Sequence, residues 1–411
     1  MIKRESCLQK IRPFMGRDVI KILTGIRRCG KSVMLGLIQE ELVATGETAD
    51  SFVALDFTSH NLPCAATTKA VHAFAKKKAA ALRGSSGHDG KLRVFLDEIQ
   101  ELSGWEKLVN ALLSDFDADI YLTGSNARLL SGELATYLGG RYVQIRMHPF
   151  SYAEFLLARS ASDSRALFEN YLVFGGMPFL SVLPLAADDA KKYLSDIFDS
   201  IVLKDIVSRH AIRDVELLRR VILYFLANVG NTFSASSLVK FLKNEKRTIS
   251  TETIYNYIEY CKAAHLLHLL PREDVRGKRI LQFQEKIFLA DTGLREALLG
   301  GNLADIGQIL ENVVLLELLR RDYQVTVGRE ERGGGGGGRE VDFVATRGGN
   351  RIYVQVCYLL ADNATVEREF SVLETIPDAF PKYVVSMDEI NRGRNGVLHF
   401  NIRDFLLGES F

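Results

Sequence analysis

The stretch GIRRCGKS, residues 25–32, constrains the fold more than any other part of this chain. A glycine, four free positions and Gly-Lys-Ser make the phosphate-binding loop pattern, which works only where a strand leads in and a helix leads out. Both are written into the flanks. DVIKILT (18–24) is aliphatic and β-branched, as a buried strand requires, and KSVMLGLIQEELVATG (31–46) carries apolar residues at helical spacing before stopping at Gly46. In that setting Gly25, Ile26, Arg27, Arg28, Cys29 and Gly30, continued by Lys31, Ser32 and Val33, turn backbone N–H groups and a helix N-terminus toward phosphate oxygens. Lys31 adds a positive charge there and Ser32 a hydroxyl ligand for Mg2+. Arg27, Arg28 and Cys29 fill free positions of the motif; their side chains either point away from the phosphates or, for the arginines, touch a neighbouring subunit.

A second half of the site is expected at the end of another strand, and LRVFLDEIQ (92–100) supplies it. Asp97 is placed to hold Mg2+ through water and Glu98 to polarise an attacking water. DIYLTGSN (119–126) is a further strand ending in Ser125 and Asn126, with Asn126 the preferred γ-phosphate sensor. With SFVALDF (51–57) and RYVQIRM (141–147) there are five strands separated mostly by helical patterns, which implies a parallel sheet covered on both faces.

Composition narrows the setting. A 411-residue chain with 47% hydrophobic residues can bury more than one core, so two or three domains are expected from size. The net charge of +1 argues against a globally basic nucleic-acid sleeve and leaves local patches. Five cysteines without Cys-x-x-Cys spacing indicate neither a disulfide framework nor a zinc knuckle. The opening MIKRESCLQK carries no apolar signal, and runs such as VVLLELLRR are too short to cross a bilayer, so no membrane association and a cytoplasmic location are expected.

The series LTGIRRCGKSVML, FLDEIQ, YLTGSNARLLS, LGGRY and HPFSYAEF resembles a prokaryotic AAA-type ATPase family, over nearly the whole chain. In that family the ATPase is followed by a winged-helix region and a C-terminal domain of unknown function related to restriction endonucleases. The resemblance implies an α/β fold: a P-loop NTPase, AAA+-like, with a five-stranded parallel sheet over 1–150, a helical linker over 151–216, a winged-helix-like region over 217–300, and a small α/β restriction-endonuclease-like domain, catalytically inactive, over 301–411. It further implies ATP and Mg2+ as ligands, Lys31, Glu98, Asn126 and Arg141 as catalytic groups, and Ser32 with Asp97 at the metal. Arg141 of LGGRY is the candidate arginine finger for a neighbouring subunit, against a structural arginine at a strand start; the finger reading requires a homo-oligomer, a ring with six subunits as the candidate size.

Beyond residue 150 the signals are local. SYAE (151–154) has capping-box spacing. YLVFGGMPFL (171–180) reads as a tight connection between helices, and LKDIVSRHAIRD (203–214), polar and mixed in charge, as a linker or a contact with neighbours. Three helical stretches and a hairpin between 217 and 290 suggest the winged helix, with Ser250 or Thr251 capping the third helix and Ile254, Tyr257, Ile258 and Cys261 facing its core. Lys240, Lys243, Lys246 and Arg247, with Arg276, Lys278 and Arg279 in the wing, could contact DNA phosphates; a winged helix serves equally as a protein-binding module, and both partners stay open. His265 and His268, with no further ligands beside them, are expected to pack rather than bind metal. In the last domain Glu311 and Asp342 could be nuclease acids, but Gln355 and Cys357 stand where a third acid and a lysine are needed, so no metal-dependent cutting is expected. The six glycines 333–338 are expected to form a flexible loop.

Two functions follow. The first is an oligomeric Mg-dependent ATPase that moves or remodels DNA, as a translocase or helicase would. The second is a nucleotide-gated interaction switch with slow hydrolysis, in a defence or toxin-linked setting.

Overall fold

The computed structural model describes residues 2–82, 91–126, 139–183, 187–275, 280–330 and 339–408. The chain divides into two compact units, residues 1–147 with 263–265, and residues 148–262 with 266–411.

The first unit is built on β1 (Ile20–Gly25), β2 (Phe52–Asp56), β3 (Leu92–Asp97), β4 (Ala118–Gly124) and β5 (Tyr142–Met147), in the order β2-β3-β4-β1-β5. Every pair is parallel. β1, β3 and β4 are buried at every residue, which is what helices on both faces require of central strands. On one face Ile20, Ile22, Val94, Leu96, Ile120 and Leu122 pack with Val71 of α3 (Thr68–Leu82) and with Trp105, Leu108 and Leu112 of α4 (Trp105–Asp115). The other face carries a buried ion network, in which Asp119 accepts from Lys21, Arg93, Tyr121 and the Gly16 N–H, and Arg93 also pairs with Glu47. Because all five strands run the same way, the segments that follow β1, β3 and β4 emerge on a single edge. β1 lies between β4 and β5, so the chain reverses its direction of travel across the sheet there, the position where open α/β sheets hold ligands.

The second unit contains a seven-stranded mixed sheet of β6 (Leu267–Asp274), β7 (Ile280–Leu289), β8 (Gln324–Glu330), β9 (Arg339–Arg347), β10 (Asn350–Val356), β11 (Lys382–Ser386) and β12 (Val397–Asn401), ordered β12-β11-β10-β9-β8-β6-β7. Here the structure departs from the expected division at 300/301. The β6–β7 hairpin does not end as a separate wing: β6 pairs in parallel with β8, so the two regions share one sheet. The wing residues Arg276, Lys278 and Arg279 and the glycines 333–338 lie outside the described residues.

Local signals fare well within this unit. Ser151 and Glu154 close both hydrogen bonds of the capping box on the helix Tyr152–Ala158. Ser250, rather than Thr251, caps the helix Thr251–Ala263, its Oγ accepting from Thr253 N at 3.0 Å. Ile254, Tyr257, Ile258 and Cys261 are buried. The segment read as a linker is instead helical: Ile201–Val207 continues the helix Ala187–Ser200 as a π-helix, burying Ile201, Val202, Asp205 and Ile206. Its wide turn explains the misreading, because a π-helix breaks the 3.6-residue spacing by which helices are recognised.

The FGGMP connection has a physical role. Gly175 ends the helix Arg165–Phe174 at φ 71°, and a Cβ there would stand 2.1 Å from Asp291 Oδ1; one at Gly176 would stand 2.2 Å from Phe150 O. The space is filled by Asp291, which accepts from Gly176 N at 2.8 Å and from Gly293 N at 2.9 Å. Burial pushes its carboxyl up to about 6, against the opposing pull of those two N–H groups.

Candidate nucleotide site

The loop after β1 is closed by its own backbone. Arg4 donates to Cys29 O at 3.0 Å, Cys29 N to Ile26 O at 3.3 Å, and a Cβ on Gly25 would fall 2.3 Å from Met147 O, so only glycine fits where β5 approaches. Cys29 is fully buried, and burial raises its thiol pKa despite the charges of Lys31 and Arg4. Arg28 is exposed at φ 68°, whereas Arg27 is half-buried and its charge acts on Glu98. One of the two arginines is therefore an electrostatic member of the site.

Gly30, in the left-handed conformation at φ 99°, opens α2 (Lys31–Ala44). Lys31 is buried at its first residue. Its Nζ donates to Gly25 O at 3.1 Å and Ile26 O at 3.2 Å and stands 3.8 Å from Glu98 Oε1. These are the contacts of an ammonium resting on its own loop, and phosphate oxygens can replace the carbonyls one for one.

The two groups singled out for Mg2+ are neighbours: the Ser32 hydroxyl lies close enough to Asp97 to favour its ionised form. Thr123 Oγ1 donates to Asp97. Burial raises the Asp97 pKa, opposed by those two hydroxyls. A hydroxyl and a carboxylate are hard oxygen donors, the set that Mg2+ takes. Glu98 sits at φ 48°, a conformation a β-carbon makes costly, and is pinned from three sides. Its N–H donates to Thr123 Oγ1 at 2.8 Å, Ser125 Oγ donates to its carboxylate at 2.8 Å, and Gln100 Nε2 donates to it as well. Burial pushes the Glu98 carboxyl up, but the Lys31 charge, the Gln100 and Ser125 hydrogen bonds and the Arg27 charge together hold it below its ordinary value. Asn126 is buried next to Ser125. Thr123, which links Asp97 to the Glu98 backbone, escaped the sequence reading. The available signal was its place two residues before Ser125, on the same face of β4.

Arg141 does not join these groups within its own chain. Its carbonyl accepts from Ile20 N at 3.0 Å, at the beginning of β1, whereas the loop follows the end of β1. The six residues of β1 put roughly 20 Å between the two ends. Arg141 is exposed.

In the second unit Glu311, Asp342 and Gln355 converge: Gln355 Oε1 accepts from Asp342 N at 3.2 Å, and Gln355 Nε2 donates to Glu369 Oε2 at 2.9 Å. Cys357 is buried where a lysine was sought, but a lysine arrives from elsewhere. Lys286 of β7 stands 2.7 Å from Glu340, 3.2 Å from Glu311 and 3.8 Å from Asp342. Among the described residues no group of His, Cys, Asp and Glu forms a metal-binding set, and no helix is long and apolar enough to cross a membrane.

Residues 17–156 match the family described as AAA domain, and residues 165–305 match a domain of unknown function (DUF8612). The second match covers the middle of the chain rather than the C-terminal portion expected to hold the domain of unknown function. A Haemophilus influenzae protein is 37% identical over 392 residues, 94% of this chain and 93% of its own length. A Methanocaldococcus jannaschii protein is 30% identical over 375 residues, 86% of this chain and 78% of its own. Among solved structures, the Aeropyrum pernix Orc1 protein in complex with DNA is similar at 14% identity and a TM-score of 0.31, over 74% of this chain and 94% of that one. AMPPCP-bound DnaA from Aquifex aeolicus is similar at 11% identity and a TM-score of 0.32, over 64% and 89%. The strand order, the loop and the full-length relatives agree, and the chain belongs to the family of AAA-domain P-loop proteins that it shares with its Haemophilus and Methanocaldococcus relatives.

Proposed function

We propose that this protein is a cytoplasmic, Mg-dependent ATPase that works as a homo-oligomer and couples hydrolysis to moving or remodelling DNA. The observation that carries the reading is the convergence of Lys31, Ser32, Asp97, Glu98 and Ser125 on one sheet edge. Lys31 leaves its two carbonyls for phosphate oxygens. Ser32 and Asp97 would hold Mg2+, which neutralises charge on the phosphates. Glu98, released from Ser125, orients the attacking water, and its depressed pKa keeps it ionised for that role at neutral pH. Asn126 takes the place of γ-phosphate sensor. Arg141, remote from its own loop, suits a finger reaching the loop of an adjacent copy, which makes turnover depend on assembly.

DNA contact is supported by Lys240, Lys243 and Lys246, which are exposed and form no ion pair among the described residues. Arg247 is less available, because Glu216 accepts its guanidinium at 2.9 Å. Three phosphate contacts would give binding a salt slope of about −3 on logarithmic axes.

ATP turnover measured against protein concentration, with and without duplex and single-stranded DNA, tests the reading. Turnover that rises faster than concentration, is lost in Glu98→Gln and Arg141→Ala, and is accelerated by DNA is expected. A switch with slow hydrolysis is the second reading, favoured by the way Ser125 and Gln100 hold Glu98. Slow turnover indifferent to every DNA selects it and points to a protein partner.

A further inference from the structure

His265 is 3% exposed, yet among the described residues neither of its ring nitrogens has a hydrogen-bond partner. Buried polar groups are nearly always satisfied, so an orphaned imidazole calls for an explanation. Its backbone supplies none. The residue sits at φ 55° just past the helix Thr251–Ala263, where Leu266 N donates to Cys261 O at 2.9 Å and closes the helix end in the manner of a Schellman turn. Glycine fits that position best, and histidine brings only its ring.

The ring's surroundings point to an anion. Residues 263–265 belong to the first unit, the one that carries the phosphate loop. Burial first, then the charges of Arg146 and Lys31, hold the His265 pKa well below its ordinary value, so the ring is neutral with one N–H to donate. Arg146 stands in register with Thr24, the residue before Gly25, at the edge where the loop begins. It keeps an exposed face despite crowding that lowers its pKa, and among the described residues it makes no ion pair. The charges of two cations thus reach an imidazole donor, and the carboxylate beside Lys31, Glu98, is already engaged by Lys31, Ser125 and Gln100.

We propose that His265 donates a hydrogen bond to a phosphate oxygen of the nucleotide held by the loop, with Arg146 as a second cation beside it. The proposal rests on the nucleotide reading above and deepens it. Residues 263–265 lie in the chain between Lys262 and Leu266, both of the second unit, so a bond made only in the filled state acts directly on the backbone that joins the two units. A contact that differs between the empty and filled states is what lets a nucleotide bias a conformation.

The test uses the full chain and titrates MgADP and a Mg-bound non-hydrolysable ATP analogue into wild type, His265→Gly, His265→Asn and Lys31→Ala. His265→Gly removes the ring and suits the backbone, so it should match or exceed wild type in stability without nucleotide and bind about tenfold more weakly, the effect of one hydrogen bond to a charged group. Asn, which tolerates the left-handed conformation and keeps an N–H donor, should recover part of the loss. Wild-type affinity in His265→Gly, with binding abolished in Lys31→Ala, overturns the proposal and leaves the nucleotide reading intact. A wild-type chain that binds neither nucleotide overturns both. Should His265→Gly fail to fold, the imidazole resonances of His265 in wild type decide: they shift when nucleotide is added, or the proposal is wrong.

Discussion

Lys286→Met is the substitution whose cost can best be worked out from the structure. The Lys286 side chain is 6% exposed and serves Glu311 (16% exposed), Asp342 (8%) and Glu340 (32%) together. Although burial disfavours its charge, the fields of Glu311, Asp342 and Glu340 raise its pKa above the ordinary value, so at neutral pH it is the cation that offsets their charge. Methionine keeps most of the volume and removes the charge. Breaking a buried pair from one side costs about 3–5 kcal/mol, and because Glu340 is partly solvated the lower end applies, about 3 kcal/mol. At roughly 2–4 °C per kcal/mol this lowers the melting temperature of the second unit by roughly 6–12 °C.

The pH dependence of that deficit identifies its cause. Burial pushes Asp342 and Glu311 above the usual carboxylate value, and loss of the ammonium pushes them further. An acid whose folded pKa is raised destabilises the fold above that pKa and ceases to do so as pH falls toward the unfolded value near 4. The deficit is therefore largest at pH 8 and shrinks on acidification, and Asp342→Asn added to Lys286→Met recovers part of it. Denaturant titrations between pH 5 and 8 read this directly. A deficit below about 1 kcal/mol, the range of an exposed ion pair, or one that does not change with pH, refutes the argument.

Gly175→Ala forces a Cβ to 2.1 Å from Asp291 Oδ1 at a positive φ and should cost more than about 2 kcal/mol, whereas Gly36→Ala, inside α2 with no atom within 4 Å, should gain about 0.5–1 kcal/mol; thermal unfolding compares them. Thr123→Val strips Asp97 of one donor and the Glu98 N–H of its acceptor, and should lower stability by about 1–3 kcal/mol and weaken Mg-nucleotide binding in calorimetry. Of the five cysteines, only Cys64 is not buried, so a thiol reagent counted by mass should modify Cys64 first and Cys29 only on unfolding.

The parts of the fold legible in the sequence are those whose cause lies within a few residues. The loop, its strand and its helix adjoin one another, Asp97 and Glu98 end an apolar run, and a capping box is four residues long. Partners far along the chain left no such trace. Gly175 and Gly176 announce a turn, but the carboxylate that requires glycine at 175 and accepts from the Gly176 N–H is Asp291, more than a hundred residues later. The pairing of β6 with β8 crosses the helices between them, and nothing local in HLLHLL marks it as an internal rather than an edge strand.

Lys286 shows how such a partner could have been suspected. In QFQEKIFLA the alternation of a strand sets Lys286 on the same face as Phe288, and Phe288 is fully buried. A lysine on the apolar face of a strand must find carboxylates or lose its charge. The sequence held three candidates in Glu311, Glu340 and Asp342, and sheet order alone was missing to join them. His265 poses the same problem in the first unit: a buried polar side chain on a strained backbone, with Arg146 and Lys31 acting on it and no hydrogen-bond partner among the described residues. Lys286 found its counter-charges within the fold, so its role is to hold the sheet together. Among the described residues His265 did not, and a buried donor left unsatisfied there is where a ligand belongs.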